Sequence, residues 1–216
     1  MTLSDVGKEQ VEAEAIRRCQ QGDIAGLEPL VACYQISGVR LAYLLTGERE
    51  LADDIVQDSF LLAYRGIGRF RLGEPFAPWF YRIVTNTARQ QLRYARHRRE
   101  VSLDVLSLED AAEQQLGATA HSSHAYHADP AEHAERVEAR TALLTALSTL
   151  PHKQREAVVL RYYFGYRDRQ IAGILNCRLG TVQQRLHAGR ASLQQAIRRR
   201  YPWLLGALSN LPTSDF

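Results

Sequence analysis

The stretch DRQIAGILNCRLGTVQQRLHAGR, residues 168–190, contains two short helical patterns separated by a turn. Asn176 lies in the turn and is a residue type that tolerates left-handed backbone, so we expect a helix over 168–175 and another over 181–200. This is a helix-turn-helix pattern, whose second helix can enter a DNA major groove. The core stripe of that second helix is Val182, Leu186, Gly189 and Leu193. The candidate DNA-binding residues at its start and on its other positions are Arg178, Thr181, Gln183, Gln184, Arg185, His187 and Arg190.

Apolar residues recur with helical spacing upstream of this motif as well, and no stretch alternates with the period of two that marks a strand. The predicted helices cover 9–21, 27–45, 50–65, 79–99, 134–150 and 152–164. The helix over 27–45 is either broken around Ser37–Gly38 or continuous through it. Pro78 suits the first turn of the helix that follows it. We therefore predict an all-α fold.

The domain organisation follows from composition. Residues 1–100 and 136–200 are expected to form two small helical domains, the second one carrying the helix-turn-helix. Residues 101–135 contain no Lys or Arg and seven acidic residues, which predicts a flexible acidic linker with a short helix near 108–116. Residues 201–216 form a C-terminal tail that either packs back or frays.

The linker also contains His121, His124 and His127, with His133 farther along. A spacing of three could hold a metal ion on a helix. We interpret the segment instead as a polar linker that is rich in histidine, because no Cys or carboxylate cluster completes a ligand shell. The sequence therefore predicts no metal and no other cofactor.

The positive charge is concentrated in two blocks. Of the 27 basic residues only Lys8 and Lys153 are lysines, and the arginines cluster over 89–99 and 178–200. Arginine suits both phosphate groups and guanine edges, so the two blocks predict two contacts with one nucleic acid. Solvated helix faces are the simpler interpretation of either block taken alone.

The helix predicted over 50–65 has an acidic side. Asp53, Asp54, Gln57 and Asp58 share one face, whereas Ala52, Ile55, Val56 and Phe60 take the other. The spacing alone leaves two interpretations open: a solvated outer face, or a surface that binds a basic partner.

The helix predicted over 79–99 has a basic side. Arg82, Asn86, Arg89, Arg93 and Arg96 recur at intervals of four, three, four and three, opposite an apolar stripe. Phe70, Phe76 and Tyr81 lie at or just before its start. Cations beside aromatic rings suit a single DNA strand, because the charge binds the backbone and the rings stack on unpaired bases. Core packing is the alternative for each ring, and for Phe70 the choice stays open.

Composition excludes several classes of protein. The chain of 216 residues is 45% hydrophobic and 24% charged, as expected for a globular protein, and it has no run of about 18 apolar residues that would span a bilayer. The first ten residues lack the pattern of a signal peptide. The three cysteines are far apart, which fits a reducing cytoplasm. We see no phosphate-binding loop and no nucleophile signature, so we do not expect an enzyme.

Several stretches together resemble the bacterial RNA polymerase sigma factors of the extracytoplasmic-function (ECF) group. ELADDIVQDSF (50–60) is similar to that family's polymerase-binding helix, and FAPWFYRIVTNTA (76–88) is similar to its promoter-melting helix. LSTLPHKQRE (147–156), QIA (170–172) and GTVQQRL (180–186) are similar to its reader of the upstream promoter element. The resemblance covers residues 11–99 and 136–195, in the family's order and spacing.

The resemblance implies roles for these residues. Asp53, Asp54, Gln57 and Asp58 would bind the clamp coiled coil of core polymerase. The loop 69–75, with Phe70 and Asn86, would capture a flipped base of the minus-ten element, and Arg82, Arg89 and Arg93 would hold the melted strand. Arg185 and its neighbours would read the minus-thirty-five element. The acidic linker would follow the RNA exit path. The implied partners are the clamp and flap regions of core RNA polymerase, promoter DNA and an anti-sigma protein, with no membrane insertion.

The sequence departs from the family at Gln170, where Glu is usual, and at Arg167, which occupies a usual helix-capping position and leaves Asp168 as the expected cap. Gln184 replaces a usual Ser on the reading helix. Two alternative functions remain at this point. One is a helix-turn-helix regulator that does not act as a sigma factor, and the other is a metal-dependent hydrolase or metal sensor built on the linker histidines.

Overall fold

The structure, a computed structural model, describes residues 3–105 and 130–201, and every regular element in these two segments is helical. In chain order the helices are α1 (Leu3–Gln20), α2 (Leu27–Thr46), α3 (Arg49–Gly66), α4 (Phe76–Val105), α5 (Pro130–Ser148), α6 (His152–Val158), α7 (Asp168–Leu175) and α8 (Leu179–Arg200). Short 3-10 turns cover Ile24–Gly26 and Ile67–Arg69. The all-α prediction is confirmed. The linker histidines 121, 124 and 127, the expected short helix near 108–116 and the tail beyond 201 lie outside the described residues.

Helix α2 is continuous through Gly38, so the predicted alternative of a break around Ser37–Gly38 does not occur. A Cβ atom at Gly38 would lie 3.2 Å from the Phe80 ring and 3.3 Å from Val56. The glycine thus lets α2 approach α3 and α4 closely. The helix ends at Gly47, whose φ of 82° is the left-handed conformation that glycine adopts without strain.

Helices α1–α4 enclose the core of the first bundle. Phe76 and Phe80 are completely buried, and their rings stack with centroids 5.8 Å apart. Phe60 stacks on Phe80 from α3, with centroids 4.4 Å apart. Because α4 begins at Phe76, Pro78 lies in its first turn, where its missing N–H costs no helical hydrogen bond.

The helix predicted over 152–164 changes geometry partway. It is α-helical to Val158 and becomes a π-helical turn over Val159–Tyr163. The Phe164 N–H donates to Val159 O at 3.2 Å, and Gly165 ends the element with a φ of 70°. Apolar periodicity alone does not reveal this wider turn.

The helix-turn-helix has the predicted form. Asn176 has a left-handed backbone with a φ of 48°. The Cys177 N–H donates to Ala172 O at 3.0 Å, and this hydrogen bond caps the end of α7. The predicted cap is wrong: Arg167 occupies the N-cap position and Asp168 is the first helical residue. The Arg167 N–H donates to the Gln170 side chain at 2.9 Å. Gln170, in the first turn of α7, thus supplies the hydrogen-bond acceptor for the backbone N–H at the N-cap.

The two bundles contact each other. The Tyr81 ring of α4 packs against Phe164, with centroids 5.1 Å apart, and the Arg155 guanidinium donates to Leu45 O at the end of α2 at 2.7 Å. Helix α4 also packs on α7. The second bundle therefore covers part of the face of α4 on which the sequence places basic residues.

None of the helices within these described segments combines the length and the apolar character needed to cross a membrane.

Candidate nucleic-acid and protein interfaces

The acidic face of α3 is on the surface. Asp54, Gln57 and Asp58 are exposed and Asp53 is half-buried. None of the three carboxylates forms an ion pair with a described residue. The core side of the same helix is fully packed, because Ala52 and Ile55 have no exposed area. The structure thus brings the four predicted residues together on one unpaired face.

Two leucines extend this face and were missed by the sequence analysis. Leu61 and Leu62 are 50% and 45% exposed, one to two turns beyond Asp54 and Asp58. Their signal was present in the sequence, since neither falls on the stripe that buries Val56, Phe60 and Ala63. Exposed apolar side chains beside unpaired acids are a combination that favours a protein partner.

The basic face of α4 is only partly accessible. Arg82, Asn86 and Arg93 are exposed. Arg89 is instead held by Glu156 of α6: its Nε and Nη2 atoms donate to the two carboxylate oxygens at 2.5 and 2.6 Å. Glu156 is 2% exposed, and its hydrogen bonds raise the pKa of Arg89 above its ordinary value. Arg89 also donates to Asn86 Oδ1 at 3.2 Å.

The aromatic residues near the start of α4 are buried. Phe70, Phe76 and Tyr81 are 7%, 0% and 5% exposed. The Phe70 ring packs on Phe76 and on Trp79, with centroids 5.8 and 5.1 Å away. The alternative left open for Phe70 is therefore answered in favour of core packing, and no base can stack on its ring in this arrangement.

The loop between Phe70 and Phe76 is exposed. Residues 71–75 form a turn in which the Glu74 N–H donates to Arg71 O at 3.2 Å and Gly73 has a φ of 95°. A cleft of about 700 Å³ lies between this loop and α1. Asn86 does not line it: ten residues from the start of α4 correspond to about 15 Å along the helix. Asn86 therefore does not border this cleft.

The reading helix α8 presents most of the predicted set to solvent. Arg178, Gln183, Gln184, His187 and Arg190 are exposed, and Thr181 is half-buried. Arg185 is also half-buried, and its Nη1 lies 3.7 Å from Cys177 Sγ. The opposite side packs inward through Val182, Leu186 and Gly189, as predicted.

No group of three or more His, Cys, Asp or Glu side chains within the two described segments is arranged to hold a metal ion. The histidines 121, 124 and 127 are outside those segments.

Comparison with known proteins agrees with this geometry. The family model of Sigma-70 region 2 matches residues 30–98, which include α3 and the α4 stripe. The model of Sigma-70, region 4 matches residues 140–193, which include the helix-turn-helix.

Relatives extend the match over most of the chain. The ECF RNA polymerase sigma-E factor of Escherichia coli K12 is 31% identical over 184 residues, 84% of this chain and 92% of that protein. The RNA polymerase sigma-H factor of Pseudomonas aeruginosa is 30% identical over 189 residues, 88% of this chain and 95% of that protein.

Solved structures share the fold. The sigma factor RpoE of Bartonella quintana, in complex with the anti-sigma factor NepR, superimposes with a TM-score of 0.59 at 23% identity, over 79% of this chain and 96% of that one. CnrH in complex with the cytosolic domain of CnrY superimposes with a TM-score of 0.59 at 21% identity, over 88% of this chain and 99% of that one.

Two helical bundles that match regions 2 and 4 define a sigma-70-type transcription initiation factor. Within that class, the chain belongs to the ECF RNA polymerase sigma factors. It is a sigma factor that binds core RNA polymerase and promoter DNA to start transcription, and the regulator alternative is not favoured.

Proposed function

We propose that the α3 face binds the polymerase clamp, that α4 holds the melted promoter strand, and that α8 reads the minus-thirty-five element. The observation that carries this assignment is the division of charge in the described residues. Unpaired acids lie on α3, whereas every exposed charged side chain described on α4 and α8 is an arginine. Acidic groups repel DNA phosphates and attract basic protein surfaces, so the two kinds of face suit two kinds of partner.

The exposed loop 69–75 is proposed to capture a base of the minus-ten element. Phe70 and Phe76 hold its two ends in the core, and residues 71–75 are open to solvent. Arg82, Asn86 and Arg93 would bind the strand that continues from that base. Arg89 would join them only when its pair with Glu156 opens.

On α8, Gln183, Gln184, His187 and Arg190 offer donors that suit purine edges and phosphates, with Arg178 and Thr181 at the helix start and Arg185 beside them. Each contact can be weak, because joining two binding domains raises the effective concentration at the second site. The segment 101–135 would join the domains through the polymerase RNA exit path. The flap region of core polymerase is proposed as a further contact of the protein.

The chain is further proposed to catalyse no reaction of its own, to act in the cytoplasm and to be held inactive by an anti-sigma protein. The support for the last point is that the two structural neighbours above are complexes with partners of that kind or with a cytosolic partner domain.

The test is run-off transcription with purified core polymerase over a promoter library, with and without this protein. We expect new transcripts that start at a fixed distance downstream of one shared pair of elements. If no promoter is used, the assignment is wrong. Tight binding to duplex DNA by the chain alone, with no effect on polymerase, would favour the helix-turn-helix regulator instead.

A further inference from the structure

Helix α1 holds the first end of the loop that joins α3 to α4. The Gln20 side-chain amide donates to Ile67 O at 3.0 Å and to Phe70 O at 2.8 Å. These two carbonyls bound the 3-10 turn that leads into the loop, and the Phe70 N–H donates to Ile67 O at 3.0 Å. A primary amide carries two donor hydrogens on one nitrogen, so Gln20 can serve both carbonyls at once.

The same helix holds the second end of the loop. The Glu12 carboxylate accepts from the Tyr34 hydroxyl, and its other oxygen accepts from the Phe76 N–H at 3.4 Å. Phe76 is the first residue of α4, where the N–H groups lack helical partners and a negative charge is favourable. Burial and the Glu12 contact raise the pKa of Tyr34 above its ordinary value, so the hydroxyl stays a donor.

Residues 71–75 are therefore exposed between two fixed ends. Phe70 and Phe76 pack on each other at the base of the loop. The cleft between the loop and α1 is lined by Glu9, Glu12 and Ile16 on one side and by Leu72, Glu74 and Pro75 on the other. Gln20 and Glu12 are not themselves on the exposed part of the loop, and neither belongs to the α4 stripe or the α8 face.

We propose that Gln20 and Glu12 are positioning residues for promoter opening: they hold the two ends of loop 71–75 in the conformation that receives a base. This inference rests on the proposed function of the loop. A loop that is ordered before it binds loses less conformational entropy on binding, so the anchored form captures a base more readily than a free one. The effect acts on promoter opening and leaves polymerase binding, which uses α3, unchanged.

The experiment uses the full chain with core polymerase and a promoter that carries 2-aminopurine at successive positions of its minus-ten element. Fluorescence rises when the labelled base leaves the stack. Gln20→Glu replaces both donors with oxygens that repel the two carbonyls, and Gln20→Ala removes them. The matched control is Gln21→Glu, which adds the same charge at the neighbouring exposed position.

We expect the opening rate to fall roughly tenfold in Gln20→Glu, since two net hydrogen bonds are lost, and to be unchanged in Gln21→Glu. For Glu12 we expect Glu12→Gln, which keeps one acceptor oxygen, to retain more of the rate than Glu12→Ala. Polymerase affinity should stay near the wild-type value in Gln20→Glu.

A wild-type opening rate in Gln20→Glu would overturn the inference. A loss of polymerase affinity in proportion to the loss of opening would overturn it too, because the effect would then be one of general stability. If the wild-type protein itself opened no promoter, the proposed function would fail, and the two failures are thus distinguishable.

Discussion

Arg89 and Glu156, which are 67 residues apart in the sequence, form a bidentate ion pair between the two bundles. Glu156 is 2% exposed, whereas the Arg89 side chain keeps 29% of its surface accessible. The arginine side of the pair is therefore partly open to solvent, whereas the glutamate side is buried. One cation of the α4 stripe is thus occupied within the protein itself.

This pair predicts an energetic coupling between the bundles. Removing one partner leaves the other desolvated and without its counterion, so Arg89→Gln and Glu156→Gln should each lower the free energy of unfolding. The double variant should lose less free energy of unfolding than the two single variants added together. We expect a coupling of about 1–3 kcal/mol from a double-mutant cycle measured by urea unfolding. Glu138→Gln, on the exposed side of α5, is the control and should change little. Additive costs would mean that the two side chains act independently.

The pair also predicts a change in DNA binding. Glu156→Gln frees the Arg89 guanidinium for phosphate, so binding of a single-stranded minus-ten oligonucleotide to the full chain should strengthen, and its salt dependence should steepen by about one counterion. Fluorescence anisotropy at several salt concentrations measures both. An unchanged salt slope would place Arg89 outside the DNA contact.

The α3 face predicts a charge-reversal phenotype. Asp54→Lys should abolish retention on core polymerase, because it places a cation where a basic partner surface would bind, while the helical content of the chain stays the same. Co-purification and circular dichroism measure the two properties. Glu28→Lys makes the same change on an exposed turn of α2 and should leave retention intact. Retention of Asp54→Lys would contradict the assigned face.

The α8 face predicts a sequence-dependent loss. Arg185→Ala should weaken promoter binding by about 1–3 kcal/mol on the preferred upstream element and by less on altered elements, if the guanidinium reads a base. The control is Gln194→Ala, an exposed position farther along the same helix. The loss is measured as the affinity of the holoenzyme for a set of promoters with altered upstream elements. Equal weakening on every sequence would show that Arg185 contacts only phosphate.

Two glycines of the second bundle predict opposite effects on stability. A Cβ at Gly189 would lie 2.7 Å from Val158 Cγ2, so Gly189→Ala should cost about 1–3 kcal/mol through overpacking of α8 on α6. A Cβ at Gly173 of α7 would meet nothing within 4 Å, so Gly173→Ala should be neutral or stabilise by about 0.5–1 kcal/mol. Urea unfolding of the two variants compares them directly. Equal costs would contradict the close approach at Gly189.

Local sequence signals were sufficient wherever a residue's role depends on its near neighbours. The residue type of Asn176 predicted the left-handed turn between α7 and α8. The periodicity of 168–200 placed α7 and the buried stripe of α8, because these follow from the i, i+3 and i+4 geometry of one helix. The same reasoning placed the acids of α3 on one face. It failed for the cap of α7, which a hydrogen bond to the Gln170 side chain decides. It also failed for the π-helical turn after Val158, where hydrogen bonds one residue out of the α-helical register decide the geometry.

The sequence by itself determined the all-α class, the helix-turn-helix and the division of acidic and basic faces, since these depend on residue spacing within single helices. Only the tertiary structure decided that Phe70 is a core residue, that Gln20 and Glu12 hold the loop before α4, and that Arg89 is paired with Glu156. Each of these depends on contacts between elements distant in the chain, and no local pattern specifies which side chains the packing of two bundles will bring within hydrogen-bond reach.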